Sequence, residues 1–166
     1  MKKKIIYLYS HPIQYFAPLS RLLAQSEHFE VLVCYCSDYG VKPYSDKEFN
    51  QVIQWDIPLL EGYKSVFLKN YSRNPGIDKG FFGLINLGIF TLLWQQPKSY
   101  IIVHGWAYFT HFFTLLIASL LGHKVCLRGE SPLSHEMLNS PKKLKLRQFF
   151  LSSHSLQRYP SLPFYW

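Results

Sequence analysis

Residues 2–23, KKKIIYLYSHPIQYFAPLSRLL, predict a strand, a turn and a helix in immediate succession. The uninterrupted apolar run Ile5–Tyr9 is typical of a strand buried on both faces, as in a parallel sheet. Apolar residues at helical spacing follow from Leu19 to Ser26. The turn between them carries a histidine, a proline, a glutamine and a tyrosine, whereas ordinary turns prefer Gly, Asn, Asp or Ser. This unusual composition indicates a turn that contacts a ligand.

The same alternation of apolar runs and helical segments continues along the chain. The further predicted strands are Glu30–Ser37, Ser65–Leu68, Ser99–Gly105 and His123–Glu130, and the further predicted helices are Leu84–Gln96, Trp106–Gly122 and Ser140–Ser153. Such alternation predicts an α/β fold, a doubly wound and mostly parallel Rossmann-like sheet with helices on both faces. We expect residues 1–152 to form one domain and residues 153–166, with two prolines and three terminal aromatics, to be an atypical tail.

The charge balance favours anionic partners. The 166 residues include 18 Lys and Arg against 10 Asp and Glu, a net charge of +8. Such a charge attracts phosphate groups on nucleotide sugars or on an anionic membrane surface. No basic stripe with interleaved aromatic residues occurs, so we expect no nucleic-acid partner. The densest basic cluster, residues 141–148, is interpreted as a solvated helix face, with membrane-surface contact as the alternative.

The cysteines and the apolar segments of the chain indicate its cellular compartment and its relation to membranes. Cys34, Cys36 and Cys126 are interpreted as buried residues in a reducing compartment, because an odd count with C-x-C spacing suits neither a disulfide framework nor a zinc site. No signal peptide is predicted. The apolar segment 106–122 is interpreted as a buried helix, with a membrane-embedded or membrane-leaning helix as the alternative, since a bilayer span takes about 20 residues.

Several familiar signatures do not occur in the sequence. There is no glycine-rich dinucleotide motif, no phosphate-binding P-loop and no nucleophile elbow. No cluster of metal-ligating residues stands out. We therefore expect no cofactor and no metal.

Candidate site residues follow three of the predicted strands. In doubly wound sheets, ligands bind outside the carboxyl ends of the strands. Those ends carry His11, Gln14 and Tyr15 on the first strand, His104 and Trp106 on the fourth, and Arg128 and Glu130 on the fifth. His104 is predicted to be catalytic, because an imidazole can orient or deprotonate a hydroxyl near neutral pH. The other six are predicted to bind substrate.

Structural explanations stay open for the same residues. His11 precedes Pro12, and a proline pushes the preceding residue towards extended backbone, so His11 could serve the turn alone. Arg128 and Glu130 could pair only with each other. Gln14 and Tyr15 could simply begin the helix, and Trp106 could belong to the core.

Four strings, in order, carry a resemblance to a known family. They are SHPIQYFAPLSRLLAQ (10–25), WDIPLLEGYKSVFLKN (55–70), HGW (104–106) and LRGES (127–131). Together they resemble the N-terminal half of family 4-type glycosyltransferases with the GT-B architecture. The resemblance implies two Rossmann-like domains facing across a cleft, the first for the acceptor and the second for the nucleotide-sugar donor. It also implies metal-independent transfer with retention of the sugar's configuration.

The resemblance implies roles for the candidate residues as well. His11–Tyr15 would line the cleft, His104 would match the family's histidine in the acceptor domain, and Arg128 and Glu130 would lie at the cleft floor. The donor domain of such enzymes adds about 150–200 residues. We expect the chain to be truncated before it or to be half of a split enzyme, and to be weakly active or inactive alone.

The expected function is therefore that of an acceptor-side glycosyltransferase domain. The acceptor would be a glycan of a surface polysaccharide or a lipid-linked glycan, and the donor a nucleotide sugar bound through the missing domain. The location would be cytoplasmic and peripheral on the inner membrane face, with an anionic membrane surface as a partner. The alternative is a non-catalytic Rossmann-like module that binds an anionic ligand or a partner protein. A membrane-inserted protein built around residues 106–122 is a third interpretation.

Overall fold

The chain forms alternating strands and helices. The computed structural model describes residues 2–41, 44–46, 51–53 and 57–128, with the backbone alone for 44–46 and 51–53. The elements in chain order are β1 (Lys3–Tyr9), α1 (Phe16–Ala24), β2 (Phe29–Tyr35), β3 (Tyr44–Asp46), β4 (Gln51–Ile53), β5 (Lys64–Phe67), a 3-10 turn (Phe81–Gly83), α2 (Gly88–Trp94), β6 (Tyr100–His104), α3 (Phe109–Leu120) and β7 (Lys124–Arg128). All of them belong to one compact unit, residues 1–129.

Five of the strands form one parallel sheet in the order β5-β2-β1-β6-β7. The chain moves outward from β1 through β2 to β5 and then crosses back to β6 on the other side of β1. The strand order therefore reverses between β1 and β6, which is where doubly wound sheets bind ligands. The predicted α/β fold with a parallel Rossmann-like sheet is confirmed.

Each face of the sheet has its own core, because successive strand residues point to opposite sides. Tyr7 and Tyr9 of β1 pack with Phe16 of α1 on one face. Ile6 and Leu8 pack on the other face, in a cluster that also contains Ile89 and Leu93 of α2 and Ala118 of α3. Helices therefore cover both faces, as predicted.

The three cysteines are free thiols. Cys34 and Cys36 are buried, and burial raises the pKa of the Cys34 thiol to about 12. Cys126 is only partly buried. Burial is thus confirmed in full for Cys34 and Cys36 but only in part for Cys126.

The predicted start of α2 is wrong. The helix predicted over Leu84–Gln96 begins only at Gly88. Backbone N–H groups before Gly88 donate to side chains instead of forming helical hydrogen bonds. The N–H of Ile85 donates to Asn70 Oδ1 (2.9 Å), and that of Asn86 donates to Thr110 Oγ1 (2.8 Å). The segment between β2 and β5, for which the sequence predicted no strand, contributes a small antiparallel pair, β3 with β4. Each of these strands has only three residues, too few to show the apolar alternation that identifies a strand in a sequence.

Several predictions fall outside the described residues. They are the helix Ser140–Ser153, the domain boundary at residue 152, the tail 153–166 and the candidate residue Glu130. Among the helices of the described ranges, none has the length and apolarity needed to cross a bilayer.

Candidate functional site

His104 stands at the point where the strand order reverses. It is the last residue of β6 and pairs in register with Arg128 of β7. Its ring lies 5.6 Å from the ring of Tyr9 and 4.7 Å, edge to face, from the ring of Phe16. Tyr9 and Phe16 stack on each other at 4.7 Å. Two packed aromatic rings, from β1 and α1, therefore fix the imidazole at the carboxyl end of the sheet.

The residue after His104 is Gly105, which has no side chain. Its φ of +76° lies in the left-handed region that side chains disfavour. Its N–H donates to the carbonyl of Arg128 at 2.8 Å, so the turn is tied to β7. Apart from its chain neighbours, a Cβ built on Gly105 would meet no heavy atom of the described residues within 4 Å. Glycine is thus required here by backbone conformation. Trp106 follows, partly buried.

Arg128 reaches the same aromatic ring as His104. Its guanidinium carbon lies 4.8 Å from the centroid of the Phe16 ring, a cation–π contact. The Phe16 ring therefore contacts both the guanidinium of Arg128 and the imidazole of His104. Sequence reasoning placed His104 and Arg128 at the same edge of the sheet, and this placement is confirmed.

The turn after β1 presents a second histidine. Ser10 Oγ lies 2.9 Å from His11 Nδ1, and the His11 ring meets the Tyr39 ring edge-on at 5.6 Å. Burial lowers the pKa of His11 below its ordinary 6.5, which favours the neutral form of the ring. His11 thus packs against the loop that follows β2. Gln14 is partly exposed, and Tyr15, directly before α1, is 74% exposed.

Tyr63, within the resemblance string at residues 55–70, has a structural role. Its hydroxyl lies 2.7 Å from the hydroxyl of Tyr35 and donates to the carbonyl of Leu59. Burial raises the pKa of both tyrosines, chiefly by desolvation. This pair ties the segment before β5 to β2.

A third histidine lies close to His104 and was not predicted as a site residue. His111 of α3 is 2% exposed, and within the described ranges neither of its ring nitrogens has a hydrogen-bond partner. The Tyr108 ring packs against it edge-on at 5.2 Å. Burial lowers the pKa of His111 to about 4, and the nearby charge of His104 adds to this effect. The signal in the sequence was a single histidine within the apolar run 106–122.

Asn86 is hydrogen-bonded to several groups at the same edge of the sheet. It is fully buried, and its Nδ2 donates to the carbonyls of Cys36 (2.9 Å) and Leu68 (2.8 Å). The hydroxyl of Thr110, at the start of α3, lies 2.9 Å from Asn86 Oδ1. We call Asn86 and Thr110 the buried clamp. It joins the carboxyl ends of β2 and β5 to α3, and sequence reasoning missed it.

The arrangement offers an imidazole, a cation and aromatic surface around a glycine turn. An imidazole can accept a proton from a hydroxyl, and a guanidinium can bind phosphate or carboxylate. Within the described residues, no group of three or more His, Cys, Asp or Glu side chains could hold a metal ion. Comparison of the chain with protein-family models, with curated proteins and with solved structures finds no match. The function is therefore inferred from the residues and their geometry.

Proposed function

We propose that this domain is the acceptor side of a glycosyltransferase that transfers a sugar from a nucleotide sugar to a hydroxyl of a surface-polysaccharide or lipid-linked acceptor. The observation that carries the proposal is the position of His104 at the carboxyl end of β6, where the strand order reverses. The resemblance of four separate strings to family 4-type glycosyltransferases supports it independently.

The proposed roles follow from the chemistry of each side chain. His104 orients the acceptor hydroxyl and accepts its proton as the new glycosidic bond forms and the nucleoside diphosphate leaves. Arg128 supplies positive charge at the sheet edge that carries His104, and Glu130 is assigned a substrate-binding role by the resemblance alone. His11 and Gln14 position the acceptor, and Tyr15 and Trp106 offer aromatic surface to a sugar ring.

The donor and the location belong to the same proposal. A second, donor-binding domain presents the nucleotide sugar, and transfer retains the sugar's configuration without a metal. The chain acts in the cytoplasm and peripherally at the inner membrane face, where lipid-linked acceptors are exposed.

Replacing His104 by alanine is expected to lower sugar transfer by about 100-fold or more, since a positioned acid–base group contributes about 10²–10⁴-fold. The assay uses cells in which the gene is deleted, so that their extract supplies the donor domain and their membranes supply acceptor. Purified full-length chain and radiolabelled nucleotide sugars are added, and the label that enters lipid and polysaccharide is counted. The wild-type chain is expected to restore incorporation.

The matched control is His28→Ala, because His28 is an exposed histidine at the opposite, amino-terminal edge of the sheet. This variant is expected to restore incorporation as well as the wild type does. Equal incorporation with His104→Ala and His28→Ala would remove His104 from the mechanism. If the wild-type chain restores no incorporation yet binds nucleotide sugars or anionic glycans in calorimetry, the domain is a binding module instead.

A further inference from the structure

His123 stands at the amino-terminal edge of the sheet, the edge opposite to that of His104. It is 7% exposed and directly precedes β7. The backbone N–H of Ser99, directly before β6, donates to His123 Nδ1 at 3.1 Å. His123 Nε2 lies 3.2 Å from the carbonyl oxygen of Leu93, in the last turn of α2. A single buried imidazole thus joins the end of α2 to the segment that enters β6.

These two hydrogen bonds fix the protonation state of the ring. A backbone N–H can only donate and a carbonyl oxygen can only accept, so Nδ1 must be unprotonated and Nε2 must carry the hydrogen. His123 is therefore a neutral imidazole in the Nε2–H form. A second proton on the ring would occupy Nδ1, which could then no longer accept from Ser99.

The end of α3 is held at the same place. The ammonium of Lys98 donates to the carbonyl of Leu121, directly after α3. Each of the two helix ends is thus bonded by a side chain from the connection that follows the other helix, because the ring of His123 serves α2 in the same way. The last carbonyls of a helix lack partners within it, so such donors stabilise its end. We call residues 93–99 and 118–123 the helix-end corner.

The surroundings of His123 favour the neutral ring. Burial lowers its pKa below the ordinary 6.5 and the nearby charge of Lys98 adds to this effect, whereas the bond to Leu93 acts in the opposite direction. Residues 80–129 contain no aspartate or glutamate. The other titratable side chains of α2, α3, β6 and β7 are Tyr100, His104, His111, Lys124, Cys126 and Arg128. None of these elements therefore supplies a carboxylate that would stabilise a second proton on the ring.

We propose that His123 is a pH-sensitive latch, which keeps the helix-end corner closed while its ring is neutral and opens the corner when the ring binds a second proton. Opening releases the N–H of Ser99 and, with it, the turn between α2 and β6. The buried clamp at the opposite edge consists of an amide and a hydroxyl, which do not titrate in this range, so its bonds persist. The latch lies away from the proposed transfer site and does not depend on the proposed function.

The tautomer of His123 provides the first test. In the full-length chain labelled with ¹⁵N, the ring-nitrogen resonances at about pH 7.5 are expected to show a protonated Nε2 and an unprotonated Nδ1. A coupling across the hydrogen bond, between the amide nitrogen of Ser99 and His123 Nδ1, is expected at the same pH. An Nδ1–H tautomer, or a ring that is doubly protonated at this pH, would overturn the proposal.

Acid titration of the same sample tests the opening. The Ser99 coupling is expected to disappear as Nδ1 becomes protonated, with a midpoint below 6.5, because the latched ring resists the proton. The amide resonance of Asn86 is the internal control, since its acceptor is the hydroxyl of Thr110, and it is expected to keep its native position. Loss of the Ser99 coupling and of the native Asn86 resonance in a single step would mean that acid unfolds the whole domain, and would overturn the latch.

His123→Asn assigns the effect to this side chain. Asparagine offers an oxygen acceptor close to the position of Nδ1 but does not titrate, so the Ser99 amide resonance is expected to stop moving with pH. His28→Asn, at an exposed histidine, is the matched control and is expected to leave the wild-type titration of Ser99 unchanged. A Ser99 resonance that still moves in His123→Asn, or that stops moving in His28→Asn, would overturn the proposal. The two measurements on the wild-type chain decide the question even if His123→Asn does not fold.

Discussion

Replacing Asn86 by leucine is expected to lower the free energy of unfolding by about 4 kcal/mol. The substitution leaves the buried carbonyls of Cys36 and Leu68 without the amide that donates to both. It also removes the acceptor that lies 2.9 Å from the Thr110 hydroxyl. A buried polar group left without its partner costs about 1–3 kcal/mol, and here two carbonyls lose theirs at once.

Urea denaturation followed by circular dichroism measures this loss directly. Asn74→Leu is the matched control, because Asn74 lies exposed in the loop before α2, and we expect its unfolding free energy to stay within about 0.5 kcal/mol of the wild type. Thr110→Val removes the other half of the buried clamp. In a double-mutant cycle, the two substitutions should be non-additive, since each removes the same contact. An Asn86→Leu variant as stable as Asn74→Leu would show that the clamp does not hold the sheet edge.

The alternation of apolar runs along the chain was sufficient to predict the architecture, because burial between two helical layers needs strands such as Ile5–Tyr9 to be apolar on both sides. The buried clamp could not be predicted in this way. Asn86 bonds to groups 18, 24 and 50 residues away, and no local pattern encodes such partners. The late start of α2 has the same origin, since its predicted first turn is bonded to Asn70 and Thr110 instead.

The candidate site was predictable in position and less so in detail. Topology places the ends of β1, β6 and β7 side by side, so His104 and Arg128 could be assigned to one edge before any coordinates. The direction of a side chain depends on its neighbours in space. That Phe16 joins His104 to Arg128, and that His11 packs against Tyr39, became evident only from the packed structure. The unpaired His111 was visible in the sequence only as a lone polar residue in an apolar run.

His111→Leu is expected to make the domain more stable and to reduce its sensitivity to acid. The wild-type imidazole is buried, and neither nitrogen has a hydrogen-bond partner in the described part of the chain. Burial and the nearby His104 hold its pKa at about 4, below the 6.5 expected of an unfolded chain. Leucine has a similar volume and needs no partner, so we expect a gain of about 1 kcal/mol near neutral pH.

The sign of the pH effect follows from the lowered pKa. As the pH falls from 6.5 towards 4, the unfolded chain binds a proton at residue 111 that the folded chain does not bind, so stability is lost over that window and not regained below it. The loss amounts to about 3 kcal/mol at the acid end. Unfolding free energies of the wild type and His111→Leu should therefore diverge by about 2–3 kcal/mol more at about pH 4.5 than at about pH 7.5. His28→Leu, at an exposed histidine, should follow the wild type at both values. A constant difference between wild type and His111→Leu at the two pH values would mean that His111 is not held neutral by burial, because only a group with different proton affinities in the folded and unfolded chains can make stability depend on pH.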